Sequence, residues 1–235
     1  MDYQQETTVL PLMQDKLELI DFVFSNFDAR SFADLGGVWG VEGGYTFYPL
    51  AKYNITTAKL VDTHPTPMVN CHALNYPQLE VIKGNFSSES IARRLKGIDV
   101  VFLFDVLLHQ VAPDWGRVLE IYAPHTKGFV IFNQQWIGSP HTVRLLDLGE
   151  EEYFSNVPHD RTLKPYQNLF EKLDEKHPDH DRPWRDVHHI WQWGITDRNL
   201  LDKMNSLGFR LQYMKNCGQF GRLANFENHA FFFTR

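Results

Sequence analysis

Five short apolar runs, each closed by an acid or an asparagine, constrain this chain more than any other feature. They span residues 31–35, 58–62, 79–83, 98–104 and 128–133, and they place Asp34, Asp62, Asn85, Asp105 and Asn133 at or just past their ends. Segments of helical length, about 44–53, 66–75, 87–96 and 115–122, separate them. An amphipathic stretch over 14–27, with Leu17, Ile20, Phe24 and Phe27 at helical spacing, precedes the first run. Strand alternating with helix predicts a parallel, doubly wound sheet, and ligands of such sheets bind at the carboxyl ends of the strands. All five polar residues fall at that end.

The first run leads through Asp34 and Leu35 into Gly36-Gly37-Val38-Trp39-Gly40. Glycine at 36, 37 and 40 admits positive φ and close approach of the backbone to a ligand, and an acid at a strand tip accepts hydrogen bonds from a cationic or hydroxylated one. Asp62 closes the second strand, where dinucleotide-binding folds hold ribose hydroxyls. The same Asp ahead of Thr-His-Pro is also a helix-entry signal, so a capping role stays open. A dehydrogenase turn would read Gly-x-Gly-x-x-Gly and a phosphate loop would carry Gly-Lys-Ser/Thr. The chain has neither, and Trp39 stands where a pyrophosphate would lie.

The strand, acid and glycine-rich turn of 31–40, Asp62, the pair Asn85-Phe86, and the strand ending in Asp105-Val106-Leu107-Leu108-His109 together resemble the class I S-adenosylmethionine-dependent methyltransferases. The resemblance implies an α/β, Rossmann-like fold with a doubly wound, mostly parallel seven-stranded sheet and an antiparallel last strand. It implies S-adenosylmethionine as cofactor, bound by Asp34, Gly36, Gly37, Gly40, Asp62, Asn85, Phe86 and Asp105. In that reading Asn85 and Phe86 hold the adenine, Asp105 borders the pocket without being the base, and His109 lies beside the methyl group. His109 also fits the reading of a hydrogen-bonded core histidine.

The end of the chain returns to regular pattern. Thr196 is a helix N-cap, Leu200, Leu201, Met204 and Leu207 form a stripe, and Gly208 supplies the stop. Strands near 209–217 and 229–234 follow with too short a link for a helical crossover, so they pair antiparallel.

Between Asn133 and Thr196 lie residues that such a fold does not need. This segment, about 134–195, holds six of the eleven histidines (His141, His159, His177, His180, His188, His189) and four of the six tryptophans (Trp136, Trp184, Trp191, Trp193). An ordered insertion of this length is usually functional, and so many indoles cannot be left in water. We read it as a substrate cap inserted into one domain of 1–235, with Asn133-Gln134-Gln135-Trp136 opening it in residue types that bind sugars. Its histidines lack HExxH or matched Cys/His spacing, so no metal site is assigned.

Composition bounds the partners. A net charge of -6 gives no basic footprint for nucleic acid. Cys71 and Cys217 stand without CxxC spacing, which suits free thiols in a reducing cytoplasm. No apolar run reaches the ~18 residues that span a bilayer, and the N-terminus lacks a leader pattern. The expected activity is O-methylation of a small polar acceptor such as a sugar or glycan hydroxyl. An RNA methyltransferase, or a non-catalytic module that binds S-adenosylmethionine, is the alternative. A histidine is the natural base near neutrality. The candidates are His159, with Asp160 to orient it, His189 near Trp191, and His109. The acceptor and the oligomeric state stay open.

Overall fold

The computed structural model describes residues 9–235. The first eight, included in the expected single domain and in the expected absence of a leader, lie outside the described residues.

The chain begins with α1 (Gln14–Asn26) and then alternates: β1 (Ser31–Leu35), α2 (Gly44–Lys52), β2 (Thr57–Asp62), α3 (Pro67–Ala73), β3 (Leu79–Lys83), α4 (Glu89–Arg94), β4 (Ile98–Phe104), α5 (Trp115–Tyr122) and β5 (Thr126–Trp136). The segment after β5 holds the short β6 (Val143–Arg144), α6 (Glu150–Ser155) and β7 (Trp193–Gly194); α7 (Asp197–Ser206), β8 (Arg210–Gln219) and β9 (Phe226–Thr234) complete the chain. Seven strands form one sheet in the order β3-β2-β1-β4-β5-β9-β8. The first five are parallel, and β9 runs antiparallel between β5 and β8. The expected Rossmann-like fold is therefore the observed one. Strand order reverses between β1 and β4, the point at which such sheets open a crevice at the carboxyl ends of the strands.

Each face of the sheet has its own apolar layer. On one face Leu19, Ile20 and Val23 of α1 meet Phe32, Phe102, Phe132 and Phe232, with the Phe32 and Phe102 rings stacked at 4.9 Å. On the other, Val118, Leu119, Leu200 and Met204 cover Phe129, Phe231 and Phe233. Full burial of each such side chain contributes about 1.5–3 kcal/mol, so neither helix layer can leave without unfolding the sheet. Thr196 caps α7 by accepting from the Asn199 amide, and Gly208 at φ +82° stops it. Among the described residues no helix is long and apolar enough to cross a membrane.

Two boundaries differ from the sequence reading. The last hairpin is longer, because β8 and β9 extend towards one another past 217 and before 229. More consequentially, β5 continues to Trp136, paired with β9 through Gln134–Asn228, Gln135–Glu227 and Trp136–Phe226. Asn133, Gln134, Gln135 and Trp136 are all buried. They are strand residues inside the protein and do not open the cap as a sugar-facing run. A long antiparallel partner rewards continued pairing, which local polarity does not reveal.

Candidate functional site

The turn after β1 takes its shape from two glycines. Gly36 sits at φ +78°, and a Cβ there would come within 2.9 Å of the Val106 side chain and 3.3 Å of Phe86. A Cβ on Gly37 would collide with the Asp34 carboxylate. At both positions the backbone packs directly on Val106, Phe86 and Asp34, where no side chain would fit. Gly40 closes the turn, its carbonyl accepting from the Leu10 amide at 2.8 Å.

Asp34 lies beneath this turn and not in the crevice. It is 1% exposed and accepts from the Thr46 hydroxyl at 2.6 Å. Burial pushes its pKa up to about 6, the Thr46 hydrogen bond opposing and the nearby Asp62 charge adding to the rise. Asp62, half-buried, spans two elements: Oδ2 accepts from Val38 of the turn at 3.2 Å and Oδ1 from His64 at 2.9 Å. It does not cap α3, since Thr66 does so through Val69. Asn85 Oδ1 accepts from the Ser87 amide at 2.9 Å, and the Phe86 carbonyl accepts from the Tyr122 hydroxyl at 2.6 Å, which holds the Phe86 ring against Gly36.

Asp105, at the tip of β4, has φ +57°, a left-handed conformation that costs a non-glycine residue energy and clusters at functional sites. Its amide donates to the Phe132 carbonyl at 2.8 Å, and Oδ1 accepts from Gln134 at 2.8 Å. Gln134 also donates to Asn228 at 3.2 Å. The other carboxylate oxygen pairs with Lys16 of α1, a lysine only 4% exposed whose ammonium lies 5.0 Å from the ring centres of Tyr45 and Phe132. Sequence reading missed Lys16. The available signal was its place one turn before Ile20, on the buried face of α1.

The segment between β5 and α7 is ordered around a third apolar cluster of Trp136, Tyr153, Tyr166, Ile190, Trp191 and Phe226. β6 and β7 pair antiparallel and bring its two ends together. Gln192, fully buried, donates to the Val187 carbonyl at 2.7 Å and the Arg185 carbonyl at 3.0 Å, while Arg144 holds Asp186 at 2.8 Å. Three hydrogen bonds tie the segment to the tip of β4: Gln192 amide to Leu108 at 3.2 Å, Trp193 indole to Gln110 at 2.6 Å, and His109 Nδ1 to the Ile190 carbonyl at 2.9 Å. Trp136 and Trp191 are committed to this core and do not form an open stacking platform.

The three histidine candidates are placed differently. His109 directly follows the β4 tip in a 3-10 turn over Leu107–His109. Because a carbonyl only accepts, its Nδ1 carries the proton and Nε2 keeps a free lone pair. Burial drives its pKa down to about 4, with the Ile190 hydrogen bond and Asp105 opposing. His159 stacks on Tyr166 at 4.8 Å, and burial lowers its pKa. Asp160 does not orient it, because that carboxylate accepts from the Thr162 amide and hydroxyl at 2.8 Å each. His189 is pushed to about 4 by burial and then by neighbouring His188, His177 and His180. A fourth histidine, His229, went unread in the sequence. Burial opposes its protonation, yet Asp197 at 2.9 Å and Glu227 at 3.3 Å raise its pKa on balance, joining β9 to α7.

Among the described residues no three His, Cys, Asp or Glu groups are arranged to hold a metal ion. A surface hollow of about 390 Å³ lined by Phe24, Asp28, Arg30, Tyr53 and Asn54 lies at the opposite, amino end of the strands, away from every residue above.

No protein-family model matches the chain, and no curated protein matches it in sequence. Solved structures match it in shape. The N-terminal domain of EvdMO1 with SAH bound is 13% identical at a TM-score of 0.58, over 95% of this chain and 82% of that one. The mitomycin 7-O-methyltransferase MmcR is 15% identical at a TM-score of 0.55, over 94% of this chain and 54% of that one. The N-methyltransferase NodS from Bradyrhizobium japonicum WM9 is 8% identical at a TM-score of 0.55, over 94% of each chain. The small RNA methyltransferase HEN1 is 15% identical at a TM-score of 0.58, over 96% of this chain and 26% of that one.

Proposed function

From a chain that has the class I, Rossmann-like S-adenosylmethionine-dependent methyltransferase fold, we propose an enzyme that methylates an oxygen of a small polar acceptor such as a sugar or glycan hydroxyl. The observation that supports the reading is that the glycine turn, Asp62, Phe86 and Asp105 all lie at or just after the carboxyl ends of adjacent parallel strands, with the 134–195 segment hydrogen-bonded to the tip of β4. The residues suit the cofactor: Gly36, Gly37 and Gly40 put no side chain over the strand tips, and the Asp62 carboxylate is only half-buried there. Asp62 would take the ribose hydroxyls, Asn85 and Phe86 the adenine, and Gly36, Gly37 and Gly40 the near approach of the backbone. Asp34, out of the crevice, would hold the turn. When bound, S-adenosylmethionine supplies an electrophilic methyl group.

The chain's own contribution is then mainly orientation and dehydration of the acceptor. Lys16 and Gln134 fix the Asp105 carboxylate, which stays 37% exposed and able to accept from an acceptor hydroxyl. His109 is the histidine we favour as proton acceptor, since its tautomer leaves Nε2 free beside Asp105. His159 and His189 stand further inside the cap's own contacts. A sugar acceptor also draws support from EvdMO1, whose N-terminal domain was crystallised in the presence of SAH and D-fucose, and oxygen as the target from MmcR. The two free cysteines, Cys71 and Cys217, support a reducing, cytoplasmic setting.

Calorimetry with S-adenosylhomocysteine, followed by transfer of labelled methyl to a panel of sugars, glycans and RNA, tests the reading. Expected are one bound cofactor product, sugar or glycan labelling, and loss of about 10²–10⁴-fold in His109→Ala. Salt-sensitive labelling of RNA alone would favour the nucleic-acid reading. Binding without any transfer would favour a non-catalytic module, and no binding would overturn both.

A further inference from the structure

Four imidazoles and one guanidinium of the 134–195 segment gather beside the tip of β4. The ring centres of His177 and His180 lie 4.7 Å apart and those of His177 and His189 5.5 Å, while His188 lies 5.9 Å from His180 and 6.0 Å from His189. His189 directly precedes Ile190, whose carbonyl is 2.9 Å from His109 Nδ1. Arg182 shares a tight turn with His177 and His180, its carbonyl accepting from the His177 amide and its amide donating to the His180 carbonyl, each at 2.9 Å. Its guanidinium reaches the loop after β4: Nη1 stands 3.5 Å from the Ala112 carbonyl and 3.4 Å from that of Asp186.

The ionisable side chains of this group are all bases, and the nearest acids in sequence are engaged elsewhere. Asp181 pairs with Lys176 at 2.6 Å, Asp174 with Arg185 at 3.2 Å and Asp186 with Arg144 at 2.8 Å. Among the described residues Arg182 has no carboxylate at ion-pair distance, its Nε and Nη2 make no hydrogen bond, and the rings of His180, His188 and His189 make none. His177 accepts from the Asp179 amide through Nδ1 at 3.1 Å, so its Nε2 carries the proton and is a donor. Burial lowers the pKa of His188 and His189; the charges of His180, Arg182 and His64 lower the first further, and those of His188, His177, His180 and His109 the second. None of those charges is negative. At His177 burial, His180 and Lys172 act in the same direction, and Asp179 is the one acid opposing them. Donors and positive charge gathered without a counter-ion are complemented by an anion.

Deepening the methyl-transfer reading and resting on it, we propose that Arg182, His180, His188 and His189 bind an anionic group of the acceptor, a carboxylate or a phosphate monoester, with the acceptor hydroxyl directed to His109. The guanidinium supplies permanent charge and a planar pair of donors, and the imidazoles supply N–H groups whose number rises as they take up protons. A chain of net charge -6 repels an acidic acceptor at long range, so a local basic group is what such an acceptor requires. One arginine without a basic stripe does not track a polyphosphate backbone, which favours a small acid over RNA.

The full chain, saturated with S-adenosylhomocysteine, is titrated by calorimetry with D-glucuronate, D-glucose 6-phosphate and D-glucose. Expected is binding of at least one acid about tenfold or more tighter than of glucose; glucuronate alone identifies a carboxylate, and the phosphate alone a phosphate monoester. A bound carboxylate raises the pKa of the rings it touches. Glucuronate should therefore bind tighter at about pH 6 than at about pH 8, with protons taken up and read as a heat that varies with the buffer. Arg182→Gln should weaken acid binding about 10 to 100-fold and raise KM for methyl transfer to the acid, with KM for S-adenosylmethionine unchanged. His141→Gln should change neither. If Arg182→Gln loses its cooperative melt, His188→Gln, which alters an exposed ring without a hydrogen bond, decides by a loss of about threefold or more and a shallower pH dependence. Equal binding of glucose and both acids, acid binding indifferent to these substitutions, or labelling of RNA with no binding of either acid overturns the site. Acid binding that depends on Arg182 in a protein that binds no S-adenosylhomocysteine keeps the anion site and removes the methyl-transfer reading, so the two failures are told apart.

Discussion

The strand tips and the cap hold their ionisable groups by opposite means. At the tips, carboxylates are gripped by fixed donors: Thr46 on Asp34, the Val38 and His64 amides on Asp62, Gln134 and Lys16 on Asp105. In the cap, imidazoles are packed against rings, as His159 on Tyr166 and His177 on Trp184 at 4.1 Å. Donors aimed at a carboxylate favour its charged form, though at Asp34 burial outweighs them, whereas a ring against an imidazole only removes water and favours the neutral one. The difference teaches that the tips are organised electrostatically and the cap mainly by packing, although three hydrogen bonds join the two regions.

The comparison breaks first if the Lys16–Asp105 pair is not a working ion pair. Asp105→Asn leaves a buried ammonium without its counter-ion, and the expected loss is about 3–5 kcal/mol in urea unfolding. Lys16→Met with Asp105→Asn should recover most of it, since both charges are then gone. An additive double variant would mean that the two groups do not interact.

Next in size is the response to pH, which should run in opposite directions at Asp34 and at His109, a carboxyl at the end of β1 and an imidazole that follows β4. Asp34 has its folded pKa raised from 3.8 to about 6, so its stabilising contribution is full below the unfolded value and is lost as pH rises through about 6. Asp34→Asn should therefore gain up to about 3 kcal/mol relative to the parent between pH 4 and pH 7. His109 is depressed from 6.5 to about 4, so its contribution is present above the unfolded value and lost as pH falls. His109→Phe should become more stable relative to the parent as pH drops over that window. Chemical unfolding at several pH values checks both, and slopes of the same sign would erase the distinction.

Asp62→Ala sharpens the electrostatic side. Removing charge-assisted hydrogen bonds worth about 1.5–3 kcal/mol should weaken S-adenosylmethionine binding at least tenfold with the fold intact. An unchanged calorimetric affinity would remove Asp62 from the cofactor set. The smallest expected effect is at Asp160. Its carboxylate serves Thr162 and not His159, so Asp160→Ala should leave both the thermal melt and methyl transfer nearly unaltered. A marked loss of transfer would restore Asp160 as the partner of His159.

Much of the sheet was legible because its signals are local. Five apolar runs with polar ends, the glycine turn and the Thr196-to-Gly208 helix each depend on neighbours in sequence, and β1 to β4 and α7 fall where those signals lie. The cap was legible only as an insertion rich in His and Trp, because it contains little regular structure and its partners lie far away in the chain. Trp136 meets Phe226 at 5.1 Å, and Tyr153 donates to the Trp191 carbonyl at 3.0 Å.

What the sequence by itself determined is the order of strands and helices and the end of the sheet at which polar groups collect, since period and composition act over a few residues. Tertiary structure alone decided which of those groups face the crevice. Asp34 is turned under Gly37, β5 runs on to Trp136 because β9 is there to pair with it, and Lys16 becomes a site residue because α1 packs across β5 and β9. Each of these is a contact between residues distant in the chain, fixed by packing and hydrogen bonding that no local pattern encodes.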